Sequence, residues 1–357
     1  MTVQIEYPRD TRALSEFLRF FDRVYEQRTA RWPAFVSFDL SVLSAASPYL
    51  PGRSACPMVA RQEGEVVARA MAVLDQRYND HWGETLGHIA LFEALPHTHE
   101  ATRSLIDTAS AWLAERGATA ARAGYGMMDL PFVIDDYESL PPTVLRHNPA
   151  YYHTLLKEAG FEVEKGWVDY RIDVRPKWVT SWRNALVRAQ RGGFDLVPLR
   201  SLGLERSAAD LSKTWNDAFS RHWGHTPTTP AEFTFLLRML DTTGVLDASA
   251  IAYQRGQPVG AVWVVPESTG TAHLSPRRTL ADSERLNVFA IGVRESARGS
   301  GVNLALASHA YLELVRRGAK AVSYTLVLDD NWPSRRTAEK LGGRIRANYV
   351  TYRRNFR

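Results

Sequence analysis

Two stretches of the chain carry the same spacing of apolar positions: LFEALPHTHEATRSLIDTASAWLAERGATAARAGY, residues 91–125, and IGVRESARGSGVNLALASHAYLELVRRGAKAVSYT, residues 291–325. Setting Gly117 against Gly318 aligns Leu105 with Leu306, Ala109 with Ala310 and Leu113 with Leu314. Apolar residues four apart lie on one face of a helix. Each stretch therefore predicts a strand, a turn, a long helix and a second strand.

The flanking pattern extends the parallel. In the first half, DTRALSEFLRFFDRVYEQ has a helical period, and CPMVARQEGEVVARAMAVLD reads as two strands joined at Gln62 to Glu65. AYYHTLLKEAGFEVEKGWVDYRIDV reads as a helix stopped at Gly160 and a last strand. In the second half, SAADLSKTWNDAFSRHWG and PAEFTFLLRML read as helices, and ASAIAYQRGQPVGAVWVV as a hairpin turning at Gly256. SRRTAEKLGG then predicts a helix and RIRANYVTYRR the closing strand. Together these give an α/β arrangement in duplicate, with residues 1–175 in the first unit and 176–357 in the second. RPKWVTSWR, which breaks the strand before it, marks the boundary, and the aromatic run Tyr151-Tyr152-His153 is expected to pack between the units.

Composition narrows the class. A chain of 357 residues with 45% hydrophobic and 23% charged residues is long enough for two ordinary globular domains. No apolar run reaches the roughly 20 residues that span a bilayer, and MTVQIEYPRD lacks a signal-peptide layout, so a cytoplasmic protein with no membrane partner is expected. The single cysteine, Cys56, excludes an intrachain disulfide and a multi-cysteine metal site. His97 and His99 have no third ligand at zinc-like spacing, so no metal is expected. The net charge of +5 conceals an imbalance: residues 1–175 hold 18 Lys and Arg against 24 Asp and Glu, and the remainder 26 against 15. An arginine-rich half suits a phosphate-bearing ligand; nucleic acid is not the expected partner.

The turn before the second long helix carries the chemistry. Arg298-Gly299-Ser300-Gly301-Val302-Asn303 follows the strand-like NVFAIGV. A helix N-terminus presents unpaired N–H groups and about half a positive charge, and it binds phosphate when the backbone can come close. Gly299 and Gly301 permit positive φ and add no side chain, so successive N–H groups can form a nest, with Arg298 charging its rim. At the matching place the first half has LPHTHEA, without glycine or arginine and with Glu100.

These residues resemble the acyl-CoA pyrophosphate loop of the GNAT superfamily of N-acyltransferases, whose pattern is Arg/Gln-x-x-Gly-x-Gly/Ala; Arg298 and Gly301 match and Asn303 departs from it. DDNWPSRRTAEKLGGR, residues 329–344, is similar to the family's second motif, in which Asn331 and Ser334 would lie beside the pantetheine arm. NPAYYHTLLKEAGFE in the first half looks like a closing segment of the same family, and the whole plan resembles a bacterial tandem-GNAT group. The resemblance implies two GNAT-like domains, each a mixed, mostly antiparallel sheet flanked by helices, the first with a degenerate cofactor loop. It implies acetyl-CoA or another acyl-CoA as co-substrate and a small amine as acceptor, joined by direct transfer in the second domain.

In that scheme the N–H groups near Ile291, Gly292 and Val293 receive the developing oxyanion. The tyrosine that often protonates the thiolate falls at Ala338, leaving Tyr349 or Tyr352 on the last strand, a bound water, or no acid at all. Glu284 and His273 are candidate bases, and His222 and Trp223 candidate walls of the acceptor pocket. A non-catalytic acyl-CoA sensor and an aminoacyl-tRNA-dependent transferase are the alternatives.

Overall fold

The computed structural model describes residues 2–356. The first half runs β1 (Val3–Glu6), α1 (Thr11–Val24), β2 (Ala30–Arg31), α2 (Val36–Leu43), β3 (Arg53–Gln62), β4 (Glu65–Asp75), α3 (Gln76–Trp82), β5 (Leu86–Ala94), α4 (His99–Ala114), β6 (Ala120–Ala123), β7 (Phe132–Val133), α5 (Tyr152–Glu158) and β8 (Glu162–Asp173). The second runs α6 (Pro176–Arg191), β9 (Phe194–Pro198), α7 (Leu199–Leu202), α8 (Leu204–Phe219), α9 (Pro230–Asp241), β10 (Ala250–Gln254), β11 (Gln257–Val265), β12 (His273–Leu274), β13 (Asn287–Val293), α10 (Val302–Arg316), β14 (Ala321–Leu328), α11 (Trp332–Lys340) and β15 (Gly343–Asn355). The stretch RPKWVTSWR follows the end of β8 at Asp173 and starts α6, with Pro176 in the first turn, where its missing N–H costs nothing.

The repeat is real in three dimensions. Leu105, Ala109 and Leu113 of α4 and Leu306, Ala310 and Leu314 of α10 are all buried against the sheet. Alternation along the strands assigns the two faces. In the second half Ala250, Ala252, Val262 and Val264 meet α10, whereas Ile251, Tyr253 and Ala261 meet α8 and α9. In the first half Ala70 and Ala72 meet α4, while Met71 and Val73 meet α1.

The sheet is not divided at residue 175. Its strands follow the order β1-β3-β4-β5-β6-β15-β8-β14-β13-β11-β10-β9, with β7 paired to β15. The last strand of each half has crossed to the other: β15 lies antiparallel to β6, and β8 lies antiparallel to β14. The two exchanged strands pair with each other from Gly343–Ile172 to Arg353–Glu162, which welds the halves along a backbone ladder. A second, two-stranded sheet joins β12 to β2. Glu232 adds a buried ion cluster, accepting from Arg53 at 2.9 Å and from Arg77 at 2.6 Å across the same junction. No described helix is long and apolar enough to cross a membrane.

Candidate active site

Parallel strands β13 and β14 pair at Asn287–Val322, Val288–Ser323 and Phe289–Tyr324, and no further. Beyond that point β13 keeps β11 on one side through Ala290 to Val293, while β14 bulges at Leu326 (φ 53°) and turns toward β8. The backbone edge of residues 290–293 is thus left facing a wedge. Odd-numbered residues of this segment face α10; Gly292 faces α8, where a Cβ would stand 2.7 Å from the Phe219 ring.

The glycine turn follows the end of β13. Gly299 and Gly301 have φ of 79° and 85°, Gly301 is the N-cap of α10, and a Cβ on either would meet nothing within 4 Å. The N–H of Arg298 closes on Glu295 O and the Ser300 hydroxyl donates to Ala297 O, whereas the N–H groups of residues 299–303 find no acceptor among the described residues. Val302 contributes only backbone here, since its side chain is buried in the core. The Arg298 guanidinium donates to Val293 O at 3.3 Å and Ala218 O at 2.8 Å, so it ties β13 to α8 while leaving its charge at the rim. Asn303 reaches sideways to Thr337 at 3.2 Å and joins α10 to α11. The Asn331 side chain caps α11 by accepting from Ser334 N.

Ala338 is fully buried, and no phenol stands in its place. One helical turn earlier on α11, however, Ser334 Oγ lies 2.7 Å from the hydroxyl of Tyr324. Tyr324 sits at the last paired position of the wedge, and burial pushes its phenol up to about 12, so it stays protonated. Sequence reading passed over it because the motif spacing pointed to the helix; its signal was a tyrosine at the end of the buried run AVSYT.

The other catalytic candidates do not assemble at the wedge. Glu284 precedes β13, whose stretch from Asn287 to Gly292 alone spans about 17 Å. Its carboxylate accepts from Leu140 N, Ala281 N and Arg278, which outweigh burial and hold it below the usual carboxylate range, the reverse of what a base needs. His273 lies in β12, in the separate two-stranded sheet. Tyr352 has gone with the exchanged strand into the first half, 2.6 Å from His153 Nδ1. Tyr349 sits opposite Trp167 on β8 and accepts from Arg346 at 3.1 Å, with its ring on the side of Trp223 rather than α10. His222 and Trp223 pack in a cluster with Tyr125 and Trp167 at the junction between halves: His222 lies 6.5 Å from Trp167, Tyr125 stacks on Trp167 at 4.6 Å and Arg122 covers Trp223 at 4.2 Å.

The equivalent wedge of the first half is filled. β5 and β6 pair as far as Ile89–Ala123 and then diverge, with a bulge at Leu91. Here Arg146 donates to Phe92 O at 3.1 Å and to Asp129 at 2.7 Å, and Asp129 accepts from Gly124 N at 2.6 Å. The Tyr152 hydroxyl accepts from Ala94 N and donates to Glu93, and Tyr151 donates to Ala94 O. Tyr151 and Tyr152 therefore pack inside the first half, not between units. The backbone edge that stands open on β13 is satisfied on β5 by the chain's own side chains. A surface cleft of about 660 Å³ between α4 and the end of β15 is lined by residues of neither wedge.

The model of the acetyltransferase (GNAT) family matches residues 208–343, the part that holds β13, the nest and α11. A tandem GNAT protein from the clavulanic acid biosynthesis pathway shares the fold of the whole chain, with a TM-score of 0.57 over 99% of this chain and 98% of that one at 13% identity. Residues 208–343 thus match the GNAT family, and the whole chain has the fold of a tandem GNAT protein. A GCN5-related glucosamine N-acetyltransferase region of a fungal multi-domain protein aligns with a TM-score of 0.61 at 16% identity, over 99% of this chain and 38% of that one. A relative from Caulobacter vibrioides, described as a bacterial ceramide synthase, is 22% identical over 344 residues, covering 90% of this chain and 88% of its own.

Proposed function

We propose that this tandem GNAT protein is an acyl-CoA-dependent N-acyltransferase that binds its donor only in the second half. The reading rests on one observation: the same wedge occurs twice, open beside a nest of free N–H groups at β13 and plugged by Arg146 and Tyr152 at β5. The residues fit an acyl-CoA, because the nest is empty of side chains and the backbone edge beside it lacks partners. When bound, the thioester supplies an activated acyl group.

The chain's own groups supply the rest. The N–H groups of Ile291 and Val293, on the edge of β13 away from β11, stabilise the oxyanion formed as an amine attacks, and Tyr324, held by Ser334, protonates the departing thiolate. No covalent enzyme intermediate is needed. The acceptor enters from the α8 face, between His222, Trp223 and Trp167, and is a small primary amine. A second reading, an amine with a long apolar chain, is favoured by the aromatic lining together with the ceramide synthase relative.

Thermal unfolding with acetyl-CoA and palmitoyl-CoA, followed by release of free CoA across an amine panel, tests the proposal. A rise in melting temperature and amine-dependent release are expected. Binding without release with any amine would point to a sensor, and salt-dependent tRNA binding without acyl-CoA binding to the aminoacyl-tRNA alternative.

A further inference from the structure

We propose that His222 is the general base of the transfer, removing at Nε2 the proton that the acceptor amine loses as its nitrogen bonds to the thioester carbonyl. The inference deepens the donor reading above and depends on it. The new N–C bond takes the nitrogen lone pair, the C–S bond breaks with its electrons going to sulfur, and the amine proton passes to the imidazole; Tyr324 supplies the thiolate's proton.

The Phe219 ring covers Gly292 on the α8 face of β13, and His222 packs edge-on against Phe219 at 5.3 Å. Its other neighbour is Trp167 of β8, at 6.5 Å, and it lies within electrostatic reach of Asp330, which follows β14. The imidazole therefore lies on the α8 face, between the Phe219 ring that covers Gly292 and Trp167 of β8, on the side opposite α10. A donor held from the α10 face leaves this side for the amine.

His222 Nδ1 is 3.1 Å from the carbonyl oxygen of Trp223. A carbonyl can only accept, so Nδ1 bears the hydrogen and Nε2 the lone pair. No described residue bonds Nε2. This is the tautomer a base requires, fixed by the backbone of the next residue, in the way an orienting acceptor fixes a catalytic histidine.

The surroundings keep it neutral until it is used. Burial disfavours the imidazolium, Lys165 of β8 adds to this, and Asp330 and the Trp223 carbonyl oppose it, with the net effect downward. Burial pushes His225 on the same loop down to about 4, so it brings no settled positive charge at neutral pH, and His81 of α3 packs against it at 5.8 Å. Asp330, paired with Lys165 at 2.5 Å, is the carboxylate placed to balance the imidazolium once formed.

The test uses the full chain, with acetyl-CoA and palmitoyl-CoA as donors and ethanolamine, 2-phenylethylamine and dodecylamine as acceptors, following free thiol from pH 5.5 to 9. His222→Gln keeps a donor for the Trp223 carbonyl, and His222→Phe keeps the aromatic packing. Both are expected to lower kcat by about 10²- to 10⁴-fold. Both should also lose the acid limb of the pH profile that the imidazole contributes, while the rise in melting temperature with acyl-CoA stays at the parent's value. Added imidazole should restore part of the rate to His222→Ala. Variants that keep more than a tenth of kcat with an unchanged acid limb would show His222 to be packing only and overturn the proposal. Parent protein that binds acyl-CoA but transfers to no amine would also overturn it, whereas parent protein with no acyl-CoA shift would locate the failure in the donor reading.

Discussion

Gly301→Asp and Gly318→Asp form a matched pair that isolates the nest from the strain of its backbone. Both glycines are left-handed, with φ of 85° and 87°, and a Cβ on either meets nothing within 4 Å. They sit at opposite ends of α10, Gly301 capping its start and Gly318 just past Arg317 at its end. Holding an L-residue at such a φ costs about 1–2 kcal/mol, with aspartate among the better tolerated. At the helix start a carboxylate recovers about 0.3–1 kcal/mol from the dipole, and at the helix end it loses a similar amount. Without ligand, Gly318→Asp should therefore melt a few degrees below Gly301→Asp.

Ligand reverses the order. A carboxylate about 4 Å from a bound phosphate is opposed by roughly 4 kcal/mol at a near-surface effective dielectric of about 20. That weakens binding about 10³-fold. Acyl-CoA at 100 times the parent's Kd stabilises parent and Gly318→Asp by about 2.7 kcal/mol, and Gly301→Asp by almost nothing. Differential scanning fluorimetry against an acyl-CoA titration reads both effects. An undiminished shift in Gly301→Asp, or an equal loss in both variants, would refute the nest as the anion site.

Three further outcomes follow from the same geometry. Tyr324→Phe breaks one buried hydrogen bond to Ser334, so it should cost about 1 kcal/mol in a denaturant titration, and it should slow kcat more than tenfold while leaving acyl-CoA binding intact. Arg146→Met strands Asp129 and the Phe92 carbonyl, and should cost about 3–5 kcal/mol, part of it regained in the Arg146→Met/Asp129→Asn double variant, with KM for acyl-CoA unchanged. Burial alone would raise the Glu232 carboxyl, but Arg77 and Arg53 outweigh it and hold the group below its ordinary value. Its stabilising contribution is thus present above the unfolded value near 4.5 and lost as pH falls through the lower folded one, so Glu232→Gln should flatten the acid limb of a stability–pH curve.

What the sequence made legible was local. The register of α4 on α10 follows from apolar residues spaced by four, and Gly299 and Gly301 announced the nest because few other residues take that backbone. The strand exchange was not legible, since β8 and β15 both read as closing strands and nothing in their alternation says which sheet each joins. That exchange is why Tyr352 lies in the wrong half to act at β13. The plug of the first wedge was hidden for a similar reason. Asp129 and Arg146 stand in an aperiodic, proline-containing stretch, and only the fold brings them onto the edge of β5. Tyr324 was masked by the motif itself, which placed the acid at position 338.

A crystal structure of the full chain grown with acyl-CoA would show directly whether one donor site is formed by the second half alone. Pyrophosphate density is expected against the N–H groups of residues 299–303, pantetheine along residues 290–293, and Arg146 still seated on Phe92 O in the first half. Density at β5 with Arg146 displaced, or a ligand bound away from both wedges, would contradict it.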